Sequence, residues 1–274
     1  MIAMQVTLTS AESKFLISKG LSNLDDVRRA YERGICVIHP SSTTYFLFKE
    51  FTGYEPDVWI CGLIDEWGTC ISKDMLDKLK NDKDSGKFRI LWIFEKGRLI
   101  EEETEKIIER MGKEDVYIKS PNAIDVNGNA GVLIGAPDGI GTVGRFMMAK
   151  DKGFKIILPA GLEKLLPSVD ISIDPNKLKY SMGMPVHFRK VDGNVFTEID
   201  AIKTLFGLKA VPIASGGLVN SITLYVEGEE DKIEEFKEFL MKEVKGVKLP
   251  NVETPHCPCN WGTCKKLKFF NLRK

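Results

Sequence analysis

Two periods of apolar and polar residues alternate along this chain, and the switches between them mark its elements. Short apolar or β-branched runs at Met4 to Leu8, Ile35 to Ile38, Val58 to Cys61, Phe88 to Phe94, Val116 to Lys119, Ala130 to Ile134 and Lys155 to Leu158 predict strands. Helical spacing separates them. Thr9 with Glu12, and Ser22 with Asp25, have the spacing of capping boxes, in which the hydroxyl takes an N–H one turn on and the acid reaches back. Further helices are predicted over Tyr45 to Phe51, after Ser72 with Met75, Leu76 and Leu79 on one face, over Glu101 to Met111, and from Gly144 through Lys150. Strands separated by such helices pair in parallel through right-handed crossovers. The pattern therefore predicts an α/β fold, a mostly parallel sheet with helices on both faces.

After Pro167 the pattern loosens. Pro185 to Lys190 and Val195 to Thr197, joined by Asp192, Gly193 and Asn194, predict a hairpin, because those turn residues accept positive φ. A helix over Glu198 to Phe206, strands over Ala210 to Ala214 and Ser221 to Val226, and a helix over Glu229 to Val244 follow. In the last of these Ile233, Phe236, Leu240 and Val244 form one stripe. Residues 247–274 have no periodicity. The expected organisation is an α/β domain over 1–246, with a small α+β, hairpin-containing portion at about 168–208, and an irregular cysteine-bearing C-terminal tail over 247–274.

Charge narrows the partners. The 274 residues carry 39 basic and 39 acidic side chains, so no net field holds a nucleic-acid backbone or an anionic membrane. Neither is expected as a partner. No apolar run approaches the roughly 20 residues that span a bilayer, and Met1 to Lys14 has no secretion-signal pattern. A cytoplasmic location is expected, where the six Cys stay reduced.

Ligands of open α/β sheets sit where strands end and helices begin, since free N–H groups point there. Three loops qualify: Ser41, Ser42, Thr43 and Thr44; the glycine-rich stretch from Gly135 through Asp138, Gly139, Gly141 and Thr142; and Ser215, Gly216 and Gly217. Each also reads as a plain cap or turn. His39 closes a strand beside the first loop and is the best-placed general base among the three His. Glu163 follows a Pro159-Ala160-Gly161 turn and reads either as a general base or as a solvated helix-start residue. Lys119, near Asn122 and Asp125, is placed to pair an anionic substrate. Glu198 is a weaker candidate. Cys36 and Cys61, inside apolar strands, read as core.

The unit of strand, Ser41-Ser42-Thr43-Thr44 and helix resembles the first substrate loop of a superfamily. Its members include ribose-5-phosphate isomerase, glucosamine-6-phosphate deaminase, translation factor 2B subunits and the CoA transferases. Asp125, Gly128 and Asn129 are similar to the Asp-x-x-Gly-Asn turn of CoA transferases. The likeness covers roughly Leu21 to Val226, with His39-Pro40-Ser41 where glycines are common in the family. It implies a CoA-transferase-like, Rossmann-related fold and a phosphate or CoA ligand at the first loop. It also implies Asp125 and Asn129 as ligand-binding residues and Glu163 as an acyl-accepting nucleophile.

The tail holds the densest chemistry. His256, Cys257, Cys259 and Cys264 fit a tetrahedral zinc ion, and the three thiolates fit an iron–sulfur cluster with a further ligand such as Cys70. Reactive or incidental thiols are the competing reading. The sequence thus points to an enzyme that binds a small anionic metabolite and transfers a proton or an acyl group, isomerase- or transferase-like, with Glu163 or His39 as catalyst. The alternative is a non-catalytic sensor or assembly subunit with a metal-held tail. A homo-oligomer is compatible with either.

Overall fold

The computed structural model describes residues 1–66, 68–84, 90–174, 177–217, 219–255 and 268–269, with 82–84 and 268–269 as backbone. The chain opens with β1 (Ile2–Leu8), α1 (Ser10–Asn23), α2 (Asp25–Arg33), β2 (Ile35–Ile38) and α3 (Thr44–Thr52). The hairpin β3 (Gly62–Asp65) and β4 (Gly68–Ile71) follows, then α4 (Lys73–Asp84), β5 (Trp92–Glu95), β6 (Arg98–Ile100) and α5 (Thr104–Arg110). Next come β7 (Val116–Ile118), β8 (Ala123–Ile124), β9 (Ala130–Ile134), α6 (Gly141–Met148) and β10 (Lys155–Pro159). The last part holds β11 (Tyr180–Ser181), β12 (His187–Val191), β13 (Asn194–Phe196), α7 (Glu198–Phe206), β14 (Lys209–Gly216), β15 (Ser221–Gly228) and α8 (Glu230–Phe239).

Four strands, β2, β7, β10 and β13, lie parallel in the order β13-β10-β7-β2, and β5 and β6 extend the same sheet antiparallel beyond β2. Successive residues of these strands serve opposite cores. Cys36, Ile38, Val116, Ile118 and Ile157 pack with α1, α2, α3, α7, α8 and the β1-β15-β14 sheet. Ile35, Val37, Tyr117, Ile156 and Leu158 pack with α5, α6 and β9. Burial on both faces is why these strands read as continuous apolar runs.

The α/β class holds, but a mostly parallel sheet does not. Outside β2, β7, β10 and β13, the ladders of β1-β15-β14, β12-β9-β8 and β3-β4 are all antiparallel. One cause is the turn at Lys96 and Gly97, both at positive φ, which folds β6 back on β5 before any helix can intervene. The expected hairpin across Asp192 to Asn194 is also absent. There β12 pairs with β9 and β13 with β10, because Val191 fills one core while Phe196 fills the other. Val58 to Cys61 forms no strand: the ladder starts at Gly62, and beyond it Cys61 O accepts Ser72 N and Ile60 O accepts Ser72 Oγ.

Local signals fare unevenly. Thr9 and Glu12 form both bonds of their capping box. Ser22 instead donates to Lys19 O inside α1, and α2 starts at Leu24 without a side-chain cap. Among the described residues no helix is long and apolar enough to cross a membrane.

Helix α1 crosses α7 at Gly20, where a Cβ would lie 2.7 Å from both Cα and Cβ of Ala201. Gly20→Val must push the two helices apart, at a cost of about 1–3 kcal/mol for overpacking. A lowered urea midpoint with unchanged slope is the expected result, and an unchanged midpoint would show that the crossing can relax.

Candidate functional site

Parallel pairing sends the ends of β2, β7, β10 and β13 to one edge, and the ladder continues past them. His39 N donates to Ile118 O, Lys119 N to Ile157 O and Ala160 N to Phe196 O, at 2.9–3.0 Å. His39 and Lys119 are therefore held as neighbours on adjacent strands. Beside them lies a cavity of about 530 Å³. The β3-β4 hairpin, Met75 and Leu79 of α4, and Leu133 and Val186 give it apolar walls, while Thr104, Asn122, Asp138, Thr142 and Arg145 add polar groups. The hairpin is clamped by the 182–184 segment, Met184 N donating to Thr69 O at 2.6 Å. That approach needs Gly68, at φ 115, because a Cβ there would lie 1.6 Å from Met182 O.

His39 Nδ1 lies 3.7 Å from Cys61 Sγ and 3.4 Å from Pro40 O. Burial, then the Lys119 ammonium, pushes the imidazole well below its ordinary value, so the ring is neutral at pH 7. Burial pushes the Cys61 thiol up to about 12, against the pull of Lys119. The same desolvation lowers the pKa of Lys119 itself. Among the described residues the Lys119 amine has no hydrogen-bond or ion-pair partner. At the rim, Arg145 Nε pairs with Glu105 at 3.1 Å and its other arm lies 4.0 Å from Asp138.

The glycine-rich loop is partly self-satisfied. Asp138 Oδ1 accepts Ile140 N at 2.8 Å and Gly141 N at 2.9 Å, bonds that hold its carboxyl below the usual range. Gly141 and Thr142 line the cavity, and Gly139 lies against the His187 ring. The hydroxyl loop turns inward. Ser41 Oγ meets Ser120 Oγ at 2.8 Å and accepts Thr44 N, Thr44 Oγ1 donates to His39 O at 2.8 Å, and Thr43 is buried with Ser42 half-exposed. These residues brace His39 from behind.

Other expected residues lie elsewhere. Asp125 accepts the N–H groups of Asn127, Asn129 and Val169 and the Asn129 amide, so both residues hold a turn. Gly216 and Gly217 sit at positive φ where β14 turns toward β15, away from the cavity lining. His256, Cys257, Cys259 and Cys264 lie outside the described residues. Cys70 is buried in the β4 wall of the cavity. Among the described residues no group of three His, Cys, Asp or Glu side chains is placed to hold a metal.

Glu163 belongs to a second cluster, outside the cavity lining, past the ends of β10 and β13. Its Oε1 accepts Lys14 Nζ at 2.9 Å, and both side chains are about nine-tenths buried. Burial opposes its charge, yet Lys14 and Lys164 hold it below the usual carboxylate range. Glu198, fully buried, accepts Leu162 N at 3.1 and 3.2 Å and is pushed up to about 7 by burial and by Glu163. Lys164 donates to Pro121 O at 2.9 Å and is pushed down to about 8 by burial and Lys14.

The sequence reading missed Cys61, Arg145, Lys14 and Lys164. Cys61 reads as strand core, and Arg145, Lys14 and Lys164 belong to no motif that singles them out. Comparison of the chain with protein-family models, with curated proteins and with solved structures gives no match.

The Glu198 position makes a pH prediction. A carboxyl at about 7 when folded, against 4.5 in its ordinary state, binds its proton preferentially in the native chain. The penalty is absent below pH 4.5, grows between pH 4.5 and 7, and is full above 7. Glu198→Gln, always neutral, should match the parent chain near pH 4.5 and exceed it at pH 8 by on the order of 3 kcal/mol. Urea titrations across that range read this out, and a difference independent of pH would mean that Glu198 ionises normally.

Proposed function

We propose that the chain is an enzyme that binds a small anionic metabolite in the 530 Å³ cavity and transfers a proton on it. The observation that carries this reading is Lys119, unpartnered among the described residues, beside a neutral His39 in a largely apolar cavity. An anionic ligand meets its counter-charge at Lys119, and Arg145 at the rim adds a second cation. His39 is the general base, with its main chain fixed by Ile118 and Thr44. Glu163 is the less favoured catalyst because its carboxylate is engaged by Lys14.

The unit of β2, hydroxyl loop and α3 supports the resemblance to the isomerase, deaminase and CoA-transferase superfamily, and the pairing of Glu163 with Lys14 favours an isomerase-like reaction over acyl transfer. CoA remains a candidate ligand on the same ground. Thermal melts with sugar phosphates, short carboxylic acids and CoA test the reading. A ligand at a hundredfold excess over Kd adds about 2.7 kcal/mol. At least one should raise Tm by several degrees, and Lys119→Met should abolish the rise. Folded protein that no such anion stabilises would sink the proposal.

Zinc or an iron–sulfur cluster at His256, Cys257, Cys259 and Cys264 is a separate part of the proposal, supported by the donor types alone. Anaerobically purified chain should hold about one zinc ion or one cluster, and Cys257→Ser with Cys264→Ser should lose it. A metal content near zero in the parent chain would end this part.

A further inference from the structure

The surroundings of Lys119 narrow the ligand further. Its amine faces the cavity from the end of β7, and the acids in the same wall are already engaged. Glu105 pairs with Arg145, and Asp138 takes the N–H groups of Ile140 and Gly141. Nearby stand a buried imidazole and a protonated thiol, His39 and Cys61, 3.7 Å apart. Behind Cys61, Tyr117 is fully buried and its hydroxyl has no hydrogen-bond partner among the described residues. A desolvated amine with no carboxylate beside it keeps part of its population uncharged, with the lone pair available for attack.

We infer that Lys119 forms a Schiff base with its ligand, so that the substrate class is a small aldehyde or ketone that also carries an anionic group. This deepens the proposed function and rests on it. In the step, the Nζ lone pair forms a bond to the carbonyl carbon while the C=O π pair moves to oxygen. One proton passes from nitrogen to that oxygen, and His39, which follows the adjacent strand and lines the same cavity, is the group that would relay it. The carbinolamine then loses its hydroxyl group together with a second nitrogen proton as water, and the nitrogen lone pair closes the C=N bond. One amine and one carbonyl give one imine and one water, with no oxidant or reductant. Protonated, the iminium carries the positive charge that faces the ligand's anionic group. It also withdraws electrons from the adjacent carbon, which is what proton transfer there requires.

Glyoxylate with sodium cyanoborohydride at pH 7, followed by peptide mass mapping of each lysine, tests the inference on the full chain. Each unit of lowered pKa raises the neutral fraction of an amine about tenfold at this pH. Lys119 should therefore be alkylated faster than exposed lysines such as Lys96 and Lys113. Cys61→Ala should keep this fast adduct, which separates an imine from capture by the thiol. Lys119 reacting no faster than the exposed lysines in the parent chain would overturn the inference, whatever the variants do. Melts with glycolate, which lacks the carbonyl, and with the anions named above separate the two levels. Stabilisation by such anions without preferential trapping ends the Schiff base and leaves the anion reading standing. Neither stabilisation nor trapping ends both.

Discussion

Parallel pairing of β2, β7, β10 and β13 is the constraint on which the chemistry of this fold depends. Parallel strands bring all their C-terminal ends to one edge, where helices then begin, so whatever follows each strand is collected there. Here the ladder runs one residue beyond the strands, fixing the backbone of His39 and Lys119 as rigidly as if they were strand residues. Side chains placed by sheet hydrogen bonds need no loop to order them when a ligand arrives. The hydroxyl loop adds to this, because Thr44 and Ser41 close onto His39 and Ser120.

The price of that edge is buried charge. Taking Glu163 and Lys14 out of water costs several kcal/mol per ion, which their contact at 2.9 Å offsets only while both are present. Among the described residues Glu198 has no such cation within hydrogen-bonding distance, and it keeps its proton up to about pH 7. Two glutamates in one cluster thus hold different protonation states, because one faces two ammonium groups and the other faces the first glutamate. The pair therefore does not repel as two full charges.

Periodicity made the individual elements legible, and it failed where the structure depends on partner choice. The runs at Ile35, Val116 and Lys155 became neighbouring parallel strands, and Glu198 to Phe206 became a helix with the expected bounds. An apolar run does not say which sheet it joins. Ala130 to Ile134 looks like another parallel strand yet pairs antiparallel with β12, and Asp192 to Asn194 reads as a turn but links two layers. For the site, His39, Lys119, Asp138 and Thr142 were visible as polar residues just past strands. Cys61 was not, because its role comes from a hairpin that folds back over the sheet edge. Arg145 on α6 faces the cavity through tertiary packing alone.

The two clusters are not independent, and their joint charge bears on what the edge can bind. Lys164 lowers its own charge partly through Lys119 and Lys14, and it is steadied by Glu163 and Glu198. Three lysines therefore face two glutamates across the ends of β7, β10 and β13, and one glutamate is neutral until about pH 7. The edge carries surplus positive charge in a chain whose total is zero. In a desolvated place such a surplus is relieved either by losing a proton, as Lys119 and Lys164 tend to do, or by gaining an anion. Because Lys119 and Lys14 lower the Lys164 pKa through space, negative charge placed beside Lys119 would help Lys164 keep its proton, whereas a neutral group there would not.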